Sequence, residues 1–369
     1  MIVAFCLYKY FPYGGLQRDF LKIANQVSAF GHEVRVYIGA QDGELPRNFE
    51  IVQVPTRGLS NHTRNKSYYA WVKKHLLNHP VDRIVGFDRM PGLDFYFAGD
   101  LCFAAKSQNK SLLYKLLPRY RHFCNFEKAV FSPNSQTKIL YLTEKQKSQY
   151  QDFYGTQEER FTHLPPGVDR TRSYEYFTEY DREKFRRELG VSDHEIMLLQ
   201  VCSNYYLKGV DRSLQALGAM PRQMQERCKL FVVGADDARP FEDKANKLGV
   251  AKRVRFFRGR DDIGCFMGAA NLMLHPARHE AAGIVIVEAL ASTLPIIVTN
   301  ICGYADYIEN AKSGILLNDP FNQSEFNKTV QYALENEEFL QNCRKNAKSF
   351  LRHTNLYGLA EKAAALIVE

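Results

Sequence analysis

Two glutamates, Glu280 and Glu288, frame the stretch of this chain that is richest in chemistry. It reads His275-Pro276-Ala277-Arg278-His279-Glu280-Ala281-Ala282-Gly283-Ile284-Val285-Ile286-Val287-Glu288. A strand ends near His275, a loop carries Glu280, and Gly283 opens an apolar helix with Glu288 about a turn and a half in. That helix is too apolar to be exposed, so a carboxylate within it needs a partner. The first amides of such a helix, Gly283, Ile284 and Val285 just after Ala282, point toward an anion. A nucleotide sugar needs this set: a carboxylate for hexose hydroxyls, amides for the diphosphate and a carboxylate for the ribose diol. The plainer alternative is a buried Glu paired with Lys or Arg. His275 and His279 suit a structural role better than a metal site.

Lys208-Gly209-Val210-Asp211 follows a strand ending near Cys202 and starts a helix, which aims Lys208 at the carboxyl edge of a sheet. Arg172 lies in a polar joint, with Arg170 equally eligible by sequence. Cations here would hold a diphosphate as substrate or leaving group. Near the start of the chain, Gly14 and Gly15 precede a helix, where the backbone can approach a ligand closely and open amides face an anion. Asp19, one turn in, would meet a sugar hydroxyl or simply complement the helix dipole. The glycine pair matches neither the dinucleotide fingerprint nor a Walker A loop. A fourth feature runs from Lys106 to Lys128, where Lys110, Lys115, Arg119 and Arg121 are interleaved with leucines and aromatics against one acid, Glu127. Such a stretch suits an anionic membrane surface, RNA, or an ordinary amphipathic helix. Pro118 should kink or split it.

The elements that position these residues repeat twice. In the first half, Ile2–Leu7, Val34–Ile38, Ile51–Val54, Arg83–Phe87 and Lys138–Leu142 read as strands. In the second, Ile196–Cys202, Leu230–Val233, Arg253–Phe257, Leu272–Leu274 and Ile296–Val298 do so, with helices between. Buried strands alternating with helices imply two doubly wound parallel α/β sheets, which bind ligands at the carboxyl ends of their strands, here facing across a cleft. We read residues 1–167 as a Rossmann-like N-terminal domain and 168–350 as a second Rossmann-like domain that binds the nucleotide sugar. The joint is Pro165-Pro166-Gly167 through Tyr180. Residues 351–369 read as a C-terminal helix packing back on the N-terminal domain.

The 369 residues are 45% hydrophobic and 24% charged, which excludes a disordered chain, and Lys plus Arg exceed Asp plus Glu by 49 − 41 = 8. The eight cysteines form no C-x-x-C pair, so free thiols are expected rather than disulfides or zinc. No apolar run reaches the roughly 18 residues of a membrane span. No basic region precedes the first apolar run, and the expected location is the cytoplasm.

Together these motifs resemble the retaining glycosyltransferases of family 4, with the GT-B architecture. Glu280 and Glu288 match their E-x7-E signature, and His275-Pro276, Glu288-Ala289-Leu290-Ala291 and Cys302-Gly303-Tyr304 fall in the expected order. The chain is more similar still to the lipopolysaccharide core glucosyltransferases. That likeness rests on Leu7 to Phe20, Asn61-His62-Thr63-Arg64-Asn65, Met90-Pro91-Gly92-Leu93-Asp94, Leu164-Pro165-Pro166-Gly167 and Lys208 to Ser213. The resemblance implies UDP-glucose as donor and an inner-core heptose of lipopolysaccharide as acceptor, reached from the cytoplasmic face of the inner membrane. It implies Gly14, Gly15, Arg172, Lys208 and Ala282–Val285 around the donor diphosphate, and Glu288 at the ribose. Asp19, Glu280 and Lys208 would act at the transferred sugar.

No cofactor and no metal are expected, since the chain holds no D-x-D, and no nucleic acid is expected as partner. Two departures stand out. Many family members carry an Arg shortly before the Lys, where this chain has Tyr205-Tyr206-Leu207, and Arg172 is the candidate replacement. The Gly usual after E-A-x-A-x is Thr293. The remaining alternatives are a family 4 enzyme with another donor or acceptor, a nucleotide-sugar epimerase of the same build, and a basic RNA-binding protein.

Overall fold

A computed structural model describes residues 1–12 and 14–369; Tyr13, in the glycine loop, lies outside the described residues. The chain forms two compact units, 1–167 with 358–369, and 168–357.

The first unit is a parallel sheet of β1 (Ile2–Tyr10), β2 (Glu33–Gln41), β3 (Glu50–Gln53), β4 (Arg83–Gly86), β5 (Phe95–Ala98), β6 (Lys138–Tyr141) and β7 (Phe161–His163). Its order is β3-β2-β1-β4-β5-β6-β7. Helices α1 (Gly15–Ala29), α2 (Asn61–Asn78), α3 (Phe103–Lys106), α4 (Leu112–Leu116), α5 (Pro118–Phe131) and α6 (Glu144–Tyr154) accompany it. Val3 to Leu7 are wholly buried, as a central strand covered on both faces requires. Phe20, Ile23, Ala24 and Val27 form the buried face of α1, as their helical spacing dictates.

The second unit repeats the plan with β8 (Ile196–Val201), β9 (Cys228–Val233), β10 (Val254–Phe257), β11 (Leu272–His275), β12 (Ile296–Thr299) and β13 (Gly314–Leu317), ordered β10-β9-β8-β11-β12-β13. Its helices are α7 (Glu179–Glu188), α8 (Val210–Gly218), α9 (Arg222–Arg227), α10 (Arg239–Lys247), α11 (Ile263–Ala269), α12 (Ile284–Ala291), α13 (Ala305–Ala311), α14 (Gln323–Glu335) and α15 (Glu337–Leu351). In both sheets the strand order reverses once, between β1 and β4 and between β8 and β11. Open α/β sheets bind ligands outside the carboxyl ends of the strands at such a point.

The chain then returns to the first unit as α16 (Leu359–Val368), which packs on α1. The return begins at Gly358, later than the residue 351 read from sequence. Val168 N donates to Leu356 O at 2.9 Å, which keeps that stretch with the second unit. The joint is more ordered than its irregular sequence suggests. It contains two 3-10 turns, Arg170–Arg172 and Tyr174–Tyr176, and Thr178 and Asp181 close a capping box on α7. Strands β5, β7 and β13, of three or four residues, are not among the strands read from sequence.

All eight cysteines are free thiols, six of them buried. Among the described residues no helix is long and apolar enough to cross a membrane.

Candidate active site

In the second unit, Lys208 follows β8 and Glu280 follows β11, the two strands that flank the reversal of strand order. Lys208 Nζ lies 2.7 Å from Glu280 Oε2 and donates to His279 O at 3.0 Å. His275, fully buried at the end of β11, puts Nε2 3.4 Å from the same carboxylate oxygen, an electrostatic contact too long for a good hydrogen bond. Burial would push the Glu280 carboxyl up, but His275 and Lys208 outweigh it and hold it at about 2. Glu280 is therefore an anion throughout the physiological range.

Glycines permit this arrangement. Gly209 has φ 73°, and a Cβ there would stand 2.1 Å from Pro276 O, so the two loops touch backbone to backbone. Gly283 has φ 87°, and a Cβ there would come within 2.9 Å of Glu280 Cγ. Gly283 caps α12, whose first amides have no partner within the helix, and this positive dipole end starts beside Glu280. Ala282 and Val285 are nearly buried on either side of this start.

Glu288, buried on α12, pairs with Arg172, whose Nη1 is 2.5 Å from Glu288 Oε2. The backbone of Arg172 is fixed too, since Ser292 Oγ donates to its carbonyl at 2.7 Å. This separates the two arginines left open by sequence, because the Arg170 guanidinium instead covers the Tyr357 ring at 4.9 Å. The turn after α12 also has an answer. Thr293 adopts φ 53°, the left-handed conformation that glycine takes easily and a β-branched residue does not.

Gly14, Gly15 and Asp19 belong to the first unit. Gly14 caps α1, and a side chain there would collide with Gln17, whereas Gly15 has open space. Asp19 Oδ1 lies 3.4 Å from where a Cβ on Gly167 would stand, and Lys22 Nζ donates to Gly167 O at 2.6 Å. The glycine of the Pro165-Pro166-Gly167 joint is thus seated on α1.

The basic stretch splits where expected. α4 ends at Leu116, Leu117 is extended, and Pro118 takes the first position of α5, where its missing N–H costs nothing. Leu112, Leu113, Leu116 and Leu117 are 80%, 78%, 57% and 48% exposed, and Lys110, Arg119 and Arg121 are exposed beside them. The one acid does not neutralise this face. Glu127 is buried and accepts from Phe103 N, Ala104 N and Tyr154 OH at 2.8 Å each, with Arg89 Nη1 at 3.3 Å.

Sequence reasoning missed Asp211, Arg212 and the side chain of Arg278 as parts of the site. Arg212 Nη1 donates to Pro276 O at 2.9 Å, and Arg278 pairs with Asp211. Asp211 and Arg212 were visible within the Lys208 motif, but their partners lie too far along the chain to be inferred from spacing.

A model of the group 1 glycosyl transferases matches residues 181–350. With two parallel Rossmann-like sheets in the GT-B fold, this defines the class: the chain belongs to that glycosyltransferase family. It is 48% identical over 368 residues to the lipopolysaccharide glucosyltransferase WaaG of Escherichia coli (strain K12), covering 100% of this chain and 98% of that protein. The crystal structure of WaaG, a glycosyltransferase involved in lipopolysaccharide biosynthesis, superposes with TM-score 0.95 over 99% of both chains. The fold is shared more widely: Anabaena HepE in complex with UDP-glucose gives TM-score 0.77 at 19% identity over 100% of this chain and 99% of that one.

Proposed function

We propose that this glycosyltransferase moves glucose from UDP-glucose to an inner-core heptose of lipopolysaccharide, with retention of configuration and without a metal ion. The observation that carries the proposal is the Lys208–Glu280 pair at the reversal of strand order, beside the open amides of α12. The full-length likeness to a lipopolysaccharide glucosyltransferase supports the choice of sugar and acceptor.

In this reading Glu280, fixed as an anion, receives glucose hydroxyls. Lys208 has three N–H donors, and among the described residues Glu280 and His279 take two, so the third serves a phosphate oxygen. The amides of Gly283, Ile284 and Val285 take further phosphate charge as the leaving group departs. Glu288 binds the ribose diol, and Arg172 holds it in place while adding positive charge near the diphosphate. For Gly14, Gly15 and Asp19 the support is the family resemblance alone, which assigns the glycines to the diphosphate and Asp19 to the transferred sugar. Retention follows from attack on the face the phosphate leaves, with the phosphate accepting the proton.

The acceptor is lipid-anchored, and the exposed leucines of α4 among Lys110, Lys115, Arg119 and Arg121 suit the anionic surface of the cytoplasmic leaflet. The enzyme is then a peripheral protein on the cytoplasmic face of the inner membrane.

The test is a panel of nucleotide sugars with core-truncated lipopolysaccharide, read by product mass. Glucose addition from UDP-glucose that persists with chelator is the expected result. Loss of turnover on chelation refutes the metal-free reading. Formation of an epimeric sugar from the donor without any acceptor identifies an epimerase instead.

A further inference from the structure

The loop after β8 and the loop after β11 are joined by more than the Lys208–Glu280 pair. Arg278 reaches from one to the other and bonds on both sides of Lys208. Its backbone N donates to Leu207 O at 2.7 Å. Its Nη1 donates to Tyr206 O at 2.8 Å and to Asp211 Oδ1 at 2.6 Å, and its Nη2 donates to Asp211 Oδ2 at 2.7 Å. The guanidinium also lies over the Tyr206 ring, 4.2 Å from its centroid. Arg212 reaches the opposite way, donating to Pro276 O and Ala277 O at 2.9 and 3.2 Å. Gly209 lies against Pro276 O, so the backbone next to Lys208 is held from both loops.

We propose that Arg278 is a positioning residue of the donor site: clasped to Asp211 and Tyr206, it locks the two loops in register and so fixes where Lys208 meets Glu280. The proposal rests on the reading of Lys208 and Glu280 as donor-binding groups. Three of the five guanidinium N–H donors are taken by Tyr206 O and the Asp211 carboxylate, which ties Arg278 to the Lys208 loop, and in this proposal it acts through Lys208 and Glu280 rather than on the donor. The planar fork matters here, since a bidentate pair fixes angle as well as distance and a lysine provides neither. The Asp211 carboxyl reflects the same contact: burial would raise it, but Arg278 outweighs burial and holds it below the ordinary aspartate range.

The experiment compares Arg278→Lys, Arg278→Ala, Asp211→Ala and the Arg278→Ala/Asp211→Ala double variant by steady-state kinetics. Folded fraction is checked by thermal melting, and Lys208→Ala runs alongside. Arg278→Lys keeps the charge but loses the fork. Its kcat is expected to fall by roughly 10- to 100-fold, the scale of a misplaced catalytic group, with a smaller change in donor KM. The double variant should lose no more than the worse single variant, because both break one clasp.

Wild-type kcat in folded Arg278→Ala would overturn the proposal, as would additive losses in the double variant or a rate loss that only tracks the unfolded fraction. Lys208→Ala separates the two ideas. Full activity there removes the donor-site reading and the clasp with it, whereas a large loss there beside normal Arg278 variants removes the clasp alone.

Discussion

The Lys208–Glu280 region and the α4–α5 region both carry cations, and they use them in opposite ways. In the first, Lys208, Arg172 and Arg278 each face a carboxylate at 2.7, 2.5 and 2.6 Å, and the loops between them are held by glycine contacts and arginine clasps. In the second, Lys110, Arg119 and Arg121 are exposed beside exposed leucines, and the one nearby acid is turned inward to cap α3. The first arrangement is preorganised for one small ligand and loses little freedom on binding. The second leaves its cations and apolar side chains exposed, the arrangement that the proposed membrane contact would use. Charge composition alone would have grouped the two regions; the placement of the acids separates them.

Four changes would sharpen or break this contrast, beginning with the largest. Neutralising Lys110, Lys115, Arg119 and Arg121 together removes about 1 kcal/mol of attraction per cation at an anionic membrane, so partition into anionic vesicles should fall by roughly a thousandfold. UDP binding by calorimetry should be unchanged, and unaltered vesicle partition would refute the membrane role.

Glu280→Ala and Lys208→Ala should each lower turnover at least about 100-fold if these groups stabilise the departing diphosphate and the sugar. Wild-type rates would remove that residue from the site.

The third change concerns pH. Glu280 is held at about 2, below the ordinary glutamate value of 4.5. Its contribution to stability is complete above that ordinary value and is lost as pH falls through about 2. Glu280→Gln should therefore cost more stability at pH 6 than at pH 3 in urea unfolding. An equal cost at both would contradict the charged pairing.

The smallest effect is at Thr293. Glycine there relieves a left-handed β-branched residue and should stabilise the protein by about 1 kcal/mol, read as a higher melting temperature. A lower one would mean that contacts of the threonine side chain outweigh the strain.

Much of this was legible without coordinates. The alternation of apolar runs and helical spacing determined two parallel α/β sheets, because a strand buried on both faces must be apolar along its length. The E-x7-E spacing set Glu280 on a loop and Glu288 within an apolar helix, and Gly209 and Gly283 marked the turns that only glycine makes easily. Pro118 marked the split between α4 and α5. These are local effects, written in residues a few positions apart.

Partnership was decided by tertiary structure. Nothing near Arg172 indicates that it meets Glu288 while Arg170 turns to Tyr357. Nor does the motif around Lys208 reveal that Asp211 receives Arg278, or that Glu127 faces inward. Such contacts join segments brought together by strand order, and their energies depend on burial and on ångström-scale geometry. A one-dimensional pattern specifies which side chains need partners; only the folded chain specifies which partners they find.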